Sequence, residues 1–367
     1  MKVGTAHREQ VLLNEVNRLV ERLSVSQPGI RLMEVCGTHT MAISSSGIRR
    51  AVDPRLKLLS GPGCPVCVTS DEEIDQAIGL AQVEGVTVLT FGDMMRVPGS
   101  IGSLADARAK GADVRVVYSP LDGLKFAVDE PDREFVFLGV GFETTAPTVA
   151  ATVLFARKRR VRNFSVLPLF KLIPPALNFI AGSGQVNIDG FILPGHVSTI
   201  IGARPYQSLV NRYRRPCCIT GFEPGDILEG IYILLRQLET GPALAIQYQR
   251  SVKPAGNVVA RKLMARVFKR TDAVWRGIGL IAGSGLGFRP EFRGFDAWNR
   301  FGAELGRLRN GIKPKRLRSC RCGEVMLGLS TPPDCPLFSR RCTPEKPVGP
   351  CMVSSEGACA AYYKYER

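Results

Sequence analysis

The chain has 367 residues, enough for two or three domains with full cores. Its 45% hydrophobic content is ordinary for a soluble globular protein, no apolar run reaches the length of a membrane span, and residues 1–24 mix charged and apolar types in a way unlike a secretory h-region. The formal net charge of +16 raises nucleic acid or an acidic partner, but the densest basic runs (157–162, 212–215 and 313–318) carry no helix-turn-helix, zinc-finger or RNA-binding signature and read as solvated helix ends.

Residues 1–25 place Val11, Leu12, Val16, Leu19, Val20 and Leu23 at helical spacing and predict an amphipathic helix. A strand over 30–35 follows, ending in Cys36-Gly37-Thr38-His39-Thr40, with a helix opening at Met41. A second strand over 56–59 ends in Gly61-Pro62-Gly63-Cys64-Pro65-Val66-Cys67. Ser70, with Glu73 three residues on, signals the start of a helix over 71–83. A strand over 86–90 breaks at Phe91-Gly92-Asp93.

The middle of the chain repeats this order. A strand over 135–140 ends in Gly141-Phe142-Glu143-Thr144-Thr145, and a helix runs on through Phe155. Strands over 191–193 and 216–220 end in Pro194-Gly195-His196 and Gly221-Phe222-Glu223. Each half thus gives a strand with a Thr-rich tip, one with a Pro-Gly tip, and one ending in Gly and an acid. The expected fold is α/β: two similar parallel-sheet domains over 1–122 and 123–240, with a C-terminal domain over 241–367 where the rhythm stops. In such sheets ligands bind at the carboxyl ends of the strands, where every one of these motifs lies. The Gly-rich stretch 277–287 lacks a βαβ context and reads as a turn or a close-packed strand in preference to a dinucleotide loop.

The tail holds the densest chemistry. Cys320, Cys335, Cys342 and Cys359 are separated by 14, 6 and 16 residues and share their segment with Cys322 and Cys351. Four thiolates saturate one [4Fe-4S] cube, whereas structural zinc takes ligands in short hooks of two to four residues, so a cluster leads over zinc and over unliganded thiols. A disulfide framework fits poorly with the cytoplasmic location expected of this chain, where its 11 cysteines are metal-binding or redox-active thiols.

Near the N-terminus, Cys64 and Cys67 lie just ahead of a helix whose free N–H groups favour the thiolate of Cys64, and the pair can carry two electrons or two metal bonds. The bland alternative is an inert buried turn. If the strands over 30–35 and 56–59 are neighbours, Cys36 joins them and three thiols meet. His39 is then a ligand, a proton donor or a hydrogen-bonded loop residue, and His196 faces the same choice. Glu143 with Thr144 and Thr145 serves a polar ligand or caps the next helix. Cys217 and Cys218 read as strand core.

Together, CGTHT at Cys36, GPGCPVC ending at Cys67, GFETTAPT from Gly141, PGHVS from Pro194, CRCGEVMLG from Cys320 and SSEGACAAYYKY from Ser354 closely resemble the HypD family of [NiFe]-hydrogenase maturation proteins. The resemblance implies two similar α/β domains plus a cluster-bearing third. It implies a non-enzymatic scaffold on which, with the small chaperone HypC and cyanide from HypE, the Fe(CN)2(CO) unit is assembled for the hydrogenase large-subunit precursor. By the same resemblance Cys320, Cys335, Cys342 and Cys359 hold a [4Fe-4S] cluster, and the iron-handling and redox site lies at Cys36, Cys64 and Cys67, with His39 beside them. Cys322 and Cys351 are left as a relay dithiol. A free-standing iron–sulfur thiol-disulfide oxidoreductase is the alternative of a different class.

Overall fold

The computed structural model describes residues 2–27, 29–311 and 319–367, so the basic run at 313–318 lies outside the described residues. Nine strands form two parallel sheets: β1 (Ile30–Glu34), β2 (Leu56–Ser60), β3 (Val86–Thr90), β4 (Val114–Val116), β5 (Glu134–Gly141), β6 (Phe164–Phe170), β7 (Gly190–Pro194), β8 (Cys217–Thr220) and β9 (Leu244–Ile246). Two more, β10 (Phe268–Trp275) and β11 (Gly279–Phe288), pair as an antiparallel hairpin.

The first sheet runs β2-β1-β7-β8-β9 and the second β4-β3-β5-β6. Each sheet draws on both halves of the chain, which corrects the division at residue 122. The chain builds β1 and β2, crosses to make the second sheet, and returns for β7 to β9. The register shows it: β1 pairs with β2 on one side and β7 on the other, while β3 pairs with β5. Strand ends are written locally, but strand neighbours are chosen by which crossovers can bury both faces, and that is a long-range decision. The boundary at residue 241 shifts for the same reason, since β9 completes the first sheet. The Gly-rich stretch is the strand β11.

The helices follow their local signals. Asp71–Ala81 opens with the expected capping box, in which Glu73 N donates to Ser70 Oγ (3.3 Å) and Ser70 N to Glu73 Oε2 (2.8 Å). The N-terminal helix Lys2–Leu23 turns Val16, Leu19 and Val20 into a core shared with Ile227, Ile231 and Leu235 of the helix Pro224–Thr240. Among the described residues, no helix is long and apolar enough to cross a membrane.

Candidate metal and thiol centre

Loops from the carboxyl ends of the first sheet meet the C-terminal tail, and glycine lets them approach. Gly37 N donates to Gly63 O (3.0 Å), and a Cβ on Gly63 would sit 2.2 Å from Cys36 N, so the two loops cross backbone to backbone. From the other side, a Cβ on Gly37 would meet Glu356 Cβ at 2.5 Å, which brings the tail down onto the same loop.

Beneath Cys36 lies Glu34, buried inside an apolar strand. Its carboxyl accepts from Cys36 N (3.1 Å) and Thr40 Oγ1 (2.5 Å) and fixes the course of the loop. Burial pushes this carboxyl up to about 7, against those hydrogen bonds. Burial also pushes the Cys36 thiol up to about 12, and the Glu356 charge adds to the effect. Glu356 is held there by Thr38 Oγ1 (2.8 Å).

His39 and His196 arrive on different loops and both stack on Phe222, with ring centroids 4.7 and 3.9 Å away. His39 is fully buried. Its Nε2 lies 2.9 Å from both Gly221 O and Thr220 Oγ1, while its Nδ1 is buried with no partner among the described residues. Burial lowers its pKa to about 4, so the ring is neutral, with its Nδ1 lone pair available when Nε2 donates to Gly221 O. Burial lowers His196 as well, though it stands at the exposed side of Phe222.

Cys64 caps the short helix Pro65–Val68, and its sulfur accepts from Cys67 N (3.3 Å), as the free N–H groups of a helix start require. The Cys64 thiol in turn donates to Ser354 Oγ (3.3 Å). Cys67 is 1% exposed and lies against the sulfurs of Cys351 and Cys64; burial, reinforced by those two neighbours, raises it well above an ordinary thiol. Cys351 Sγ donates to Cys322 Sγ at 3.4 Å. A chain of contacting thiols therefore runs Cys64, Cys67, Cys351, Cys322, across segments nearly 300 residues apart in sequence.

Cys36 stands apart from this chain. Its loop crosses that of Cys64, but its thiol is surrounded by Thr38, His39 and Glu356. Among the described residues no three His, Cys, Asp or Glu side chains close on an ion-sized point.

The six tail cysteines line one small cavity with Val325, Leu337, Phe338 and Met352. All are free thiols, and Cys342 Sγ accepts from Val348 N at 3.3 Å. The thiols touch one another in several pairs, Cys322 with Cys320 as well as Cys351, and Cys351 with Cys359, so the geometry alone does not divide the six into ligands and an exchanging pair. The donor set and the low-dielectric lining fit an iron–sulfur cluster, whose sulfurs also accept backbone N–H bonds.

A family model for HypD, described as the hydrogenase formation hypA family, matches residues 9–366. The chain belongs to the HypD family. Among its relatives, the hydrogenase maturation factor HypD of Rhodobacter capsulatus is 42% identical over 372 residues, covering 100% of this chain and 98% of that one. The protein of the same name from Cupriavidus necator is 45% identical over 353 residues, 93% of this chain and 92% of its own length. That of Escherichia coli K12 is 41% identical over 370 residues, 98% and 96%.

Sequence reasoning missed Glu34, Glu356, Ser354 and Arg276. Glu34 carried a signal, a carboxylate inside an otherwise apolar strand; Ser354 and Glu356 lay in the SSEGACAAYYKY motif, which marked the segment but not their contacts, and Arg276 had none. Glu143 of the GFETT loop lines a cavity with Leu172, Arg261 and Arg270, and it does not cap the helix that follows it, Ala146–Lys158. Both its oxygens accept from Ile173 N (3.1 and 3.3 Å), so it caps the helix Ile173–Gly182 instead. Cys217 and Cys218 are strand core, as read.

Proposed function

We propose that this chain is a hydrogenase maturation factor, a scaffold on which the Fe(CN)2(CO) unit is assembled. Its iron is the cargo, received where the Cys36 and Cys64 loops cross, with Cys36 on one loop, Cys64 and Cys67 on the other, and His39 beside Cys36. A HypC-type chaperone shares the iron, and a HypE-type partner supplies cyanide. The observation that carries this reading is the unbroken line of thiol contacts from Cys64 to Cys322, which links the CPVC turn to the tail cavity.

The line supports a balanced exchange. With Cys64 and Cys67 as a disulfide, the Cys351 thiolate attacks Cys67: the Cys351–Cys67 bond forms, the Cys67–Cys64 bond breaks, and Cys64 leaves as a thiolate. Cys322 then attacks Cys351: the Cys322–Cys351 bond forms, and Cys67 leaves as a thiolate. Two electrons pass from Cys322 and Cys351 to the Cys64–Cys67 disulfide, which is the oxidant of both steps and must be formed beforehand by a two-electron acceptor, since the pair is free in this structure. A cluster held by Cys320, Cys335, Cys342 and Cys359 would supply single electrons to return Cys322 and Cys351 to thiols. Electron supply of this kind suits an iron that must stay electron-rich to bind cyanide and carbonyl.

Anaerobic coexpression with HypC- and HypE-type partners, followed by infrared spectroscopy, tests the proposal. Metal-bound cyanide and carbonyl bands in the wild type and their loss in Cys36→Ala support it. Absence of such bands, together with turnover of disulfide substrates without a partner, would assign the chain to free-standing thiol reductases.

A further inference from the structure

The β10–β11 hairpin plays no part in the scaffold reading, yet its tip, residues 276–278, sits between the two segments that carry the exchanging thiols. On one side it grips the turn after Cys67. Trp275 bridges Thr69 in antiparallel fashion, and Arg276 N donates to Val68 O (2.9 Å). The guanidinium donates from Nε to Thr69 O (2.7 Å) and from both terminal nitrogens to Pro98 O (3.2 and 3.1 Å). It also pairs with Asp71 Oδ1 at 2.5 Å, with its side chain only 10% exposed.

On the other side the tip abuts the tail. Gly277, at φ +70°, has no room for a side chain: a Cβ there would lie 2.4 Å from Gly323 Cα, and one on Gly323 would lie 2.7 Å from Gly277 Cα. Gly323 directly follows Cys322. The hairpin itself is anchored, because Trp275 is fully buried, stacks on Phe142 (6.2 Å) and donates from Nε1 to Ser284 Oγ (2.8 Å).

We propose that this tip, Arg276 together with the Gly277–Gly323 contact, is the positioning element that keeps Cys67 within exchange reach of Cys351 and Cys322. The inference rests on the thiol-exchange reading above. Disulfide geometry leaves little latitude, with Cβ atoms required about 3.5–4.5 Å apart, so a shift of about 1 Å between the segments ends the exchange. Arg276 suits the task because its planar fork holds three partners at once in a fixed plane, which a lysine cannot.

The test uses anaerobic full-length protein in a Cys64→Ala background, treated with substoichiometric diamide as two-electron oxidant and mapped by mass spectrometry. Two bonds are counted: Cys67–Cys351, which joins the turn held by Arg276 to the tail, and Cys322–Cys351, which lies within the tail. Arg276→Gln should lower the ratio of the first to the second by roughly 10-fold or more. Arg276→Lys should restore part of it, and Asp71→Asn should give a smaller fall. General destabilisation would affect both bonds alike. An unchanged ratio in folded Arg276→Gln and Asp71→Asn proteins overturns the proposal. If the background protein with an intact tip forms no Cys67–Cys351 bond, the exchange reading itself fails and the proposal with it.

Discussion

Glu143 gives the sharpest quantitative prediction. Burial raises its pKa from 4.5 to about 7, against the opposing pull of its backbone hydrogen bonds and the Arg270 charge. An acid raised in this way is protonated in the folded state, so the stability it confers is complete below the unfolded value and is lost as pH rises through 7. At about 1.36 kcal/mol per pKa unit, the penalty for ionising it in place approaches roughly 3 kcal/mol above pH 8. Glu143→Gln removes the charge and keeps an oxygen to accept from Ile173 N. The variant should match the wild type at about pH 4 and exceed it by up to roughly 3 kcal/mol at about pH 8.5, read from urea midpoints and slopes across that range. A difference that does not change with pH would refute the reasoning, because it would show that the carboxyl is already ionised, or already solvated, in the folded protein.

Gly63→Ala drives a Cβ into the Cys36 backbone, which cannot give way, and should cost roughly 3 kcal/mol or abolish soluble protein. Gly294→Ala, with no atom within 4 Å of the new methyl, is the matched control and should cost under about 0.5 kcal/mol by the same urea titration. The ion pair of Lys171 and Glu73 spans 2.5 Å with the lysine 1% exposed and the glutamate 16%. Glu73→Gln strands the buried ammonium and should cost roughly 3–5 kcal/mol, whereas Lys171→Met leaves a carboxylate that water can reach and should cost clearly less; the reverse order in denaturation midpoints would contradict the asymmetry.

The strand ends that build the site were readable because an apolar run stopping at glycine is a local signal. Four strands were not, and a fifth, β11, was readable only as a turn or a close-packed strand. β4 and β9 are three residues each, too short for periodicity to register. β6 contains Pro168, which argues against a strand until its place at the sheet edge is known, where a missing N–H does no harm. β10 reads FKRTDAVW, polar along most of its length because one face meets solvent. β11 is so rich in glycine that its role as a hairpin partner was hidden. In the site, residue type and motif marked the cysteines, but the contact of Cys67 with Cys351 joins residues 284 positions apart, and no spacing rule reaches so far. The exchange of strands between the sheets escaped for the same reason: sequence records what each strand is, and packing decides which strand lies beside it.

Iron and sulfide analysis of anaerobically purified protein, with the cluster's visible and paramagnetic spectra, bears most directly on the division of the tail cysteines into four ligands and one exchanging pair. The account predicts about four iron and four sulfide per chain, kept in the Cys322→Ser, Cys351→Ser double variant and lost in Cys335→Ser. Zinc in place of iron, or loss of the iron from the double variant, would contradict it.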